Sequence, residues 1–222
     1  TPRTIKRQGE NYNSQNLSQI SSATAIRNQI KNNQNKNNKL ITAQLEKTMP
    51  QTTIKILKKE FKAERGPLFA QDFATQLLTI LRRTSASELK AYEDVRGGLE
   101  NRIKDAALNS TSWSELITTI KTKRFTQTRI QRILAQALLD LKADDLKAFD
   151  KAGGPLYFRI LGFSQQGKEL LHQIKTTGDL PLISRVANHF QTDYQPQNLL
   201  QEMLHYDLQA NNIYSLAYQN SK

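Results

Sequence analysis

A chain of 222 residues with 37% apolar residues and a mean hydropathy of −0.62 holds enough Leu, Ile and Phe for one generous core or two small ones, which excludes a wholly disordered chain. Its 32 Lys and Arg against 20 Asp and Glu give a formal charge of +12, which points to a polyanionic partner, with nucleic acid ahead of a membrane surface. Cysteine is absent, so disulfides, thiol nucleophiles and thiolate metal sites are excluded, and a reducing, cytoplasmic location is expected.

The first residues, Thr1 to Arg7, carry charge with no apolar stretch behind them and are not a secretory signal. With no initiating Met, the chain is expected to begin inside a longer protein. In Ile20-Ser21-Ser22-Ala23-Thr24-Ala25-Ile26-Arg27, small hydroxyl residues lead into a helix. Free backbone N–H groups, hydroxyls, the positive end of the helix dipole and Arg27 then converge on a spot that suits a phosphate. A plain N-cap, with Ser22 or Thr24 satisfying orphan amides, accounts for the same residues. From Arg27 to Leu40 the chain is almost pure Asn, Gln and Lys, which predicts a solvated helix or linker and places a domain boundary between residues 35 and 36.

Helical spacing dominates from there on. Leu57 and Phe61, then Phe69, Phe73, Leu77, Leu78 and Leu81, recur at intervals of three and four. Short helical pieces continue to Tyr92, and Gly97-Gly98 breaks the pattern before Leu99, Ile103 and Ala107. Ser112 with Glu115 predicts a capping box at the head of a helix reaching Ile120. The clearest helix covers Thr126 to Leu141, with Ile130, Ile133, Leu134, Ala137, Leu138 and Leu141 in one apolar stripe. After Gly153-Gly154-Pro155, residues 156–162 read equally as a short strand or a buried helical turn. Ser164 predicts the cap of a helix carrying Leu170, Leu171 and Ile174, and a last helix follows Pro196. The expected fold class is mainly α, a helical bundle-like domain.

The chemistry-bearing patterns are few. His172, His189 and His205 lie outside helical ligand spacing, and no HxGH, P-loop, GxGxxG, GxSxG or HExxH occurs, so neither a protein-bound metal nor a catalytic residue is expected. Lys121, Lys123, Arg124, Arg129 and Arg132, by contrast, fall within twelve residues, with no acid between Glu115 and Asp140 and with Phe125 offering a ring. Cations beside a helix N-terminus are not favoured by the helix itself, so an external anion such as an RNA phosphate would relieve them. A solvated helix face is the other reading.

Several blocks, in order, carry a resemblance. They are Thr4-Ile5-Lys6-Arg7, Ser22 to Arg27, Gly98-Leu99-Glu100-Asn101-Arg102-Ile103, Lys121 to Thr126 with Arg129, Gln131 and Arg132, and Arg159 to Ser164 with Gly167. On these the chain resembles the bacterial tRNA(Met) cytidine acetate ligases over nearly its whole length. The resemblance implies an enzyme that uses ATP to activate acetate as acetyl-adenylate and acetylates the wobble cytidine of elongator tRNA(Met) to N(4)-acetylcytidine. It implies a Rossmann-type half carrying HxGH, absent from these residues, and a helical C-terminal half that holds tRNA. Residues 1–35 are then expected to be a short segment left over from the Rossmann-type domain, and residues 36–222 the tRNA-binding domain. Arg7, Ser22, Thr24 and Arg27 are implied at the ATP site, and Lys121, Lys123, Arg124, Phe125, Arg129 and Arg132 at tRNA. The chain alone is expected to bind tRNA without making acetyl-adenylate; a non-catalytic RNA- or DNA-binding adaptor is the alternative.

Overall fold

Helix α1 (Ala23–Asn35) starts where the hydroxyl residues end, because Ser22 in extended backbone accepts the Ala25 N–H on its Oγ at 3.0 Å. The computed structural model that shows this describes residues 4, 14, 17, 21–36, 39–190 and 195–218. Two compact units form, residues 1–69 with 215–222, and residues 70–214.

In the first unit, α1 is followed by α2 (Ala43–Glu46) and by α3 (Gln51–Lys62), which opens directly after Pro50. Ile30, Ile41, Leu45 and Ile54 make the core, with Ile26, Leu57 and Phe61 packed around it. The Asn-rich stretch is more structured than its composition predicts. Asn33 is 5% exposed; its amide nitrogen donates to the Leu40 carbonyl and its oxygen accepts from Gln29, both at 3.1 Å. A buried amide satisfied on both sides fastens the chain as it leaves the helix.

In the second unit, α4 (Ala74–Arg83), α5 (Ala86–Leu89), α6 (Leu99–Asn109), α7 (Trp113–Ile120) and α8 (Gln127–Leu139) close one core. Leu77 and Leu81, Ile103 and Ala106, Leu116 and Ile120, and Ile130, Ile133 and Leu134 are all at most 1% exposed, the faces that the spacing predicted. Gly98 N-caps α6 in the left-handed region at φ 85, so the Gly pair is a helix entrance as well as a break. Ser112 caps α7 as expected, and Glu115 accepts from the N–H and hydroxyl of Thr111.

Cations tie these helices together. Lys104 on α6 donates to the carbonyls of Leu81, Arg82 and Thr84 at the end of α4, while Arg82 donates to those of Ala107 and Ser110 at the end of α6. Helix C-termini leave carbonyls unpaired and partly negative, so each cation closes the other's helix. Lys104→Met, which keeps the stem and removes three donors, is expected to lower unfolding free energy by about 2 kcal/mol in a denaturant titration. An unchanged midpoint at equal slope would show these carbonyls to be equally well served by water.

Where α8 ends, Asp140 takes φ 52 and receives the Tyr92 hydroxyl at 2.8 Å and the Lys142 ammonium at 2.6 Å. Burial pushes the Asp140 carboxyl up, but those two partners outweigh it and hold the group below its ordinary range. Beyond it come α9 (Ala143–Lys151), β1 (Phe158–Arg159), α10 (Gln165–Thr177), β2 (Leu182–Ile183) and α11 (Leu199–Ser215). Strands β1 and β2 pair in parallel, Phe158 with Leu182 and Arg159 with Ile183, and α10 is the crossover that parallel pairing requires. Ser164 caps α10 as predicted, yet none of this helix is buried, and Leu170 is 56% exposed.

The fold-class expectation is corrected. The open choice at residues 156–162 resolves as a strand, which joins a small parallel sheet that an all-helical reading leaves out. Among the described residues no leftover Rossmann-type segment precedes the helical part either. From Ser22 the chain enters α1, whose Ile30 shares a helical core with α2 and α3, and the paired strands lie more than a hundred residues further on. Hydroxyl residues leading into a helix are compatible with either setting; only the partners of that helix decide. Among the described residues no helix is long and apolar enough to cross a membrane.

Candidate nucleic-acid interface

The turn between α7 and α8 is built by two polar clamps and one aromatic plug. Arg102 on α6 donates to the carbonyls of Thr119 and Ile120, finishing α7. Thr122 then folds the chain over: its N–H donates to the Phe125 carbonyl at 3.2 Å, and its hydroxyl accepts the Phe125 N–H at 3.0 Å. Phe125, 6% exposed, sinks into the core beneath, and helix α8 begins two residues later. With Phe125 pointing inward, Lys121, Lys123 and Arg124 are left on the outside.

Arg124, Arg129 and Arg132 gather on the loop ahead of α6. The guanidinium carbons of Arg124 and Arg129 lie 5.4 and 5.3 Å from the Phe125 ring centre, within cation–π range. Arg124 also occupies the space beside Gly97, where a Cβ would collide with its terminal nitrogen. Arg129 donates twice to the Asp94 carbonyl, and Arg132 donates to the Asp94 carboxylate at 2.5 Å. Asp94 itself takes φ 68, and its other oxygen lies 3.6 Å from Arg96.

All five predicted cations and Phe125 thus belong to one place. Phe125 is a core residue stacked under guanidinium groups, and its ring is covered rather than presented to a base. Lys121 and Lys123 make no ion pair with an acid among the described residues. Helix α8 has no acid in its first turn, and its N-cap Thr126 makes no side-chain capping bond, so neither its own first turn nor its cap neutralises this end. Sequence reasoning missed Asp94, Arg96 and Gly97. The only signal was the Gly pair, which marks a turn without saying what lies against it.

The second predicted site lies in the other unit. Arg7 falls outside the described residues. Ser22 is 1% exposed and its hydroxyl is engaged both ways, accepting from Ala25 and donating to the Ser14 carbonyl at 2.7 Å. Thr24 is half-buried in the first turn of α1 and Arg27 is exposed one turn on, with no acid in that first turn. Ser22 therefore serves the helix itself, which leaves the Thr24 hydroxyl and Arg27 of the predicted set.

The family model described as HIGH Nucleotidyl Transferase matches residues 1–222 without a break, which also overturns the expectation of a Rossmann-type remnant ahead of a separate helical part. A relative from Acetivibrio thermocellus named tRNA(Met) cytidine acetate ligase is 37% identical over 220 residues, covering 99% of this chain and 52% of its own. Another of that name, from Halothermothrix orenii, is 39% identical over 219 residues, covering 98% of this chain and 50% of its own. The apo crystal structure of Thermotoga maritima TmcAL superposes with a TM-score of 0.83 at 27% identity, over 96% of this chain and 50% of that one. The same protein bound with alpha-thio ATP gives 0.78 at 26% identity, over 90% and 48%. The chain spans about half the length of the curated relatives it matches. On the match over residues 1–222, the chain belongs to the HIGH nucleotidyltransferase family.

Proposed function

We propose that this chain works in an ATP-dependent ligase that activates acetate as acetyl-adenylate and acetylates the wobble cytidine of elongator tRNA(Met), and that its own part is chiefly to hold the tRNA. The observation that carries the reading is the run of Lys121, Lys123 and Arg124 on the turn before α8, with Arg129 and Arg132 in the first two turns of that helix, whose N-terminus has no side-chain cap. The names of the relatives supply the reaction. Acetate is unreactive toward an amine, and the exocyclic amine of cytidine is a weak nucleophile because its lone pair is delocalised into the ring. Adenylation gives the carboxyl a good leaving group, and the tRNA must then be held so that the amine meets the carbonyl carbon. Cations on a rigid helical turn supply that holding through backbone phosphates, which position without reading sequence.

ATP enters this reading as a substrate. Thr24, Arg27 and the start of α1 are assigned to its phosphates, with Arg7 alongside and Ser22 holding the helix start; that a solved relative is bound with alpha-thio ATP supports ATP as a ligand. No protein-bound metal is part of the proposal, and the enzyme is assigned to the cytoplasm.

Two measurements test it. Elongator tRNA(Met) is expected to bind about tenfold more tightly than an unrelated tRNA, a difference of about 1.4 kcal/mol. Equal affinities would instead favour an adaptor that recognises nucleic acid without catalysis. The chain by itself is expected to show no acetate-dependent exchange of pyrophosphate into ATP; measurable exchange would overturn the division of labour.

A further inference from the structure

An acid in the middle of a basic surface needs a reason, because every phosphate that approaches is repelled by it. Asp94 is such an acid, its side chain 19% exposed, and three arginines surround it. Arg132 bonds one carboxylate oxygen, Arg96 lies 3.6 Å from the other, and Arg129 takes the backbone carbonyl through two donors. Three residues on, Gly97 leaves the space that Arg124 fills. The Asp94 carboxylate therefore lies against two guanidinium groups and its carbonyl takes a third, so the cations around it outnumber its one charge.

We infer that Asp94 is a positioning residue of the nucleic-acid interface: it pre-arranges Arg132 and Arg129 for phosphate oxygens while leaving most of their donors free. A guanidinium carries five N–H donors, and the bond to Asp94 uses one of those on Arg132, whose side chain remains 60% exposed. Long side chains lose rotamer freedom when they bind, and an arginine already fixed by a neighbour has lost it beforehand. The backbone suits the role. At φ 68 the Asp94 carbonyl turns toward Arg129, and Asp and Asn are the residues other than Gly that best tolerate this region.

This inference rests on the surface reading of the proposed function, and the test separates the two. Asp94→Asn keeps the left-handed backbone and the carbonyl to Arg129 and removes one negative charge. If Asp94 were only a repelling charge, its loss would tighten RNA binding. Positioning gives the opposite sign: Kd for elongator tRNA(Met) in the full chain is expected to rise roughly three- to tenfold. It further requires that Asp94→Asn add little once Arg132→Gln is present, since the acid acts through that arginine. A Kd that is unchanged or lower in D94N, or a full additive loss in the double variant, overturns the positioning role. Lys121→Glu with Lys123→Glu reports on the surface itself. If that pair weakens binding while D94N does not, positioning alone fails; if the pair leaves binding unchanged, the surface and the inference fall together.

Discussion

Replacing Lys121, Lys123 and Arg124 together by glutamate is expected to raise the Kd for tRNA more than tenfold at roughly 0.1 M salt and to flatten its salt dependence. Each cation that neutralises a phosphate releases a counterion, so three lost contacts should reduce the log–log slope by about 2 to 3. These three are chosen because they are exposed, whereas Arg129 and Arg132 are tied to Asp94. A glutamate at either of those positions would face the Asp94 oxygens and mix lost binding with lost stability. Isotherms at four or five salt concentrations decide the matter. An identical slope in the triple variant would sink the proposed surface.

Phe125→Ala is expected to cost about 3–5 kcal/mol of stability, the usual cost of removing a fully buried aromatic ring. The ring fills the core under α8 and lies against two guanidinium groups, while the backbone of the same residue closes the Thr122 turn. RNA affinity should fall with it even where the protein remains folded, because the cations of the turn lose their base. Phe125→Leu separates the two contributions. It keeps most of the apolar volume, so stability should largely recover, while the stacking under Arg124 and Arg129 is lost. Denaturant unfolding and tRNA binding on the same two variants give the comparison. An alanine variant as stable as the parent would mean that the ring anchors nothing.

Charge shows where composition and structure part. The excess of +12 pointed to a polyanion, yet Arg82, Lys104 and Arg102 are occupied by the carbonyls of helix C-termini. Only position in the fold distinguishes a cation that closes a helix from one that waits for a phosphate. The acid-free run from Lys121 to Arg132 was the usable signal, because no local carboxylate was available to absorb its charge. The ATP-site reading at Ser22 was half legible. Hydroxyl residues before a helix do mark its start, but the inward turn of the Ser22 hydroxyl toward Ser14 depends on contacts that sequence spacing does not report.

The sequence by itself determined most of the helices, the caps at Ser112 and Ser164, the apolar stripe of α8 and the place of the basic cluster. These are local matters: hydrogen bonds within four residues and a side-chain period of 3.6. Tertiary structure alone decided that Phe125 is core, that Asn33 is buried, that two-residue strands pair in parallel across α10, and that Asp94 lies against Arg129 and Arg132. Those contacts join residues from seven to nearly forty positions apart. Their energy exists only once the chain is packed, which is why a periodic pattern carries no trace of them.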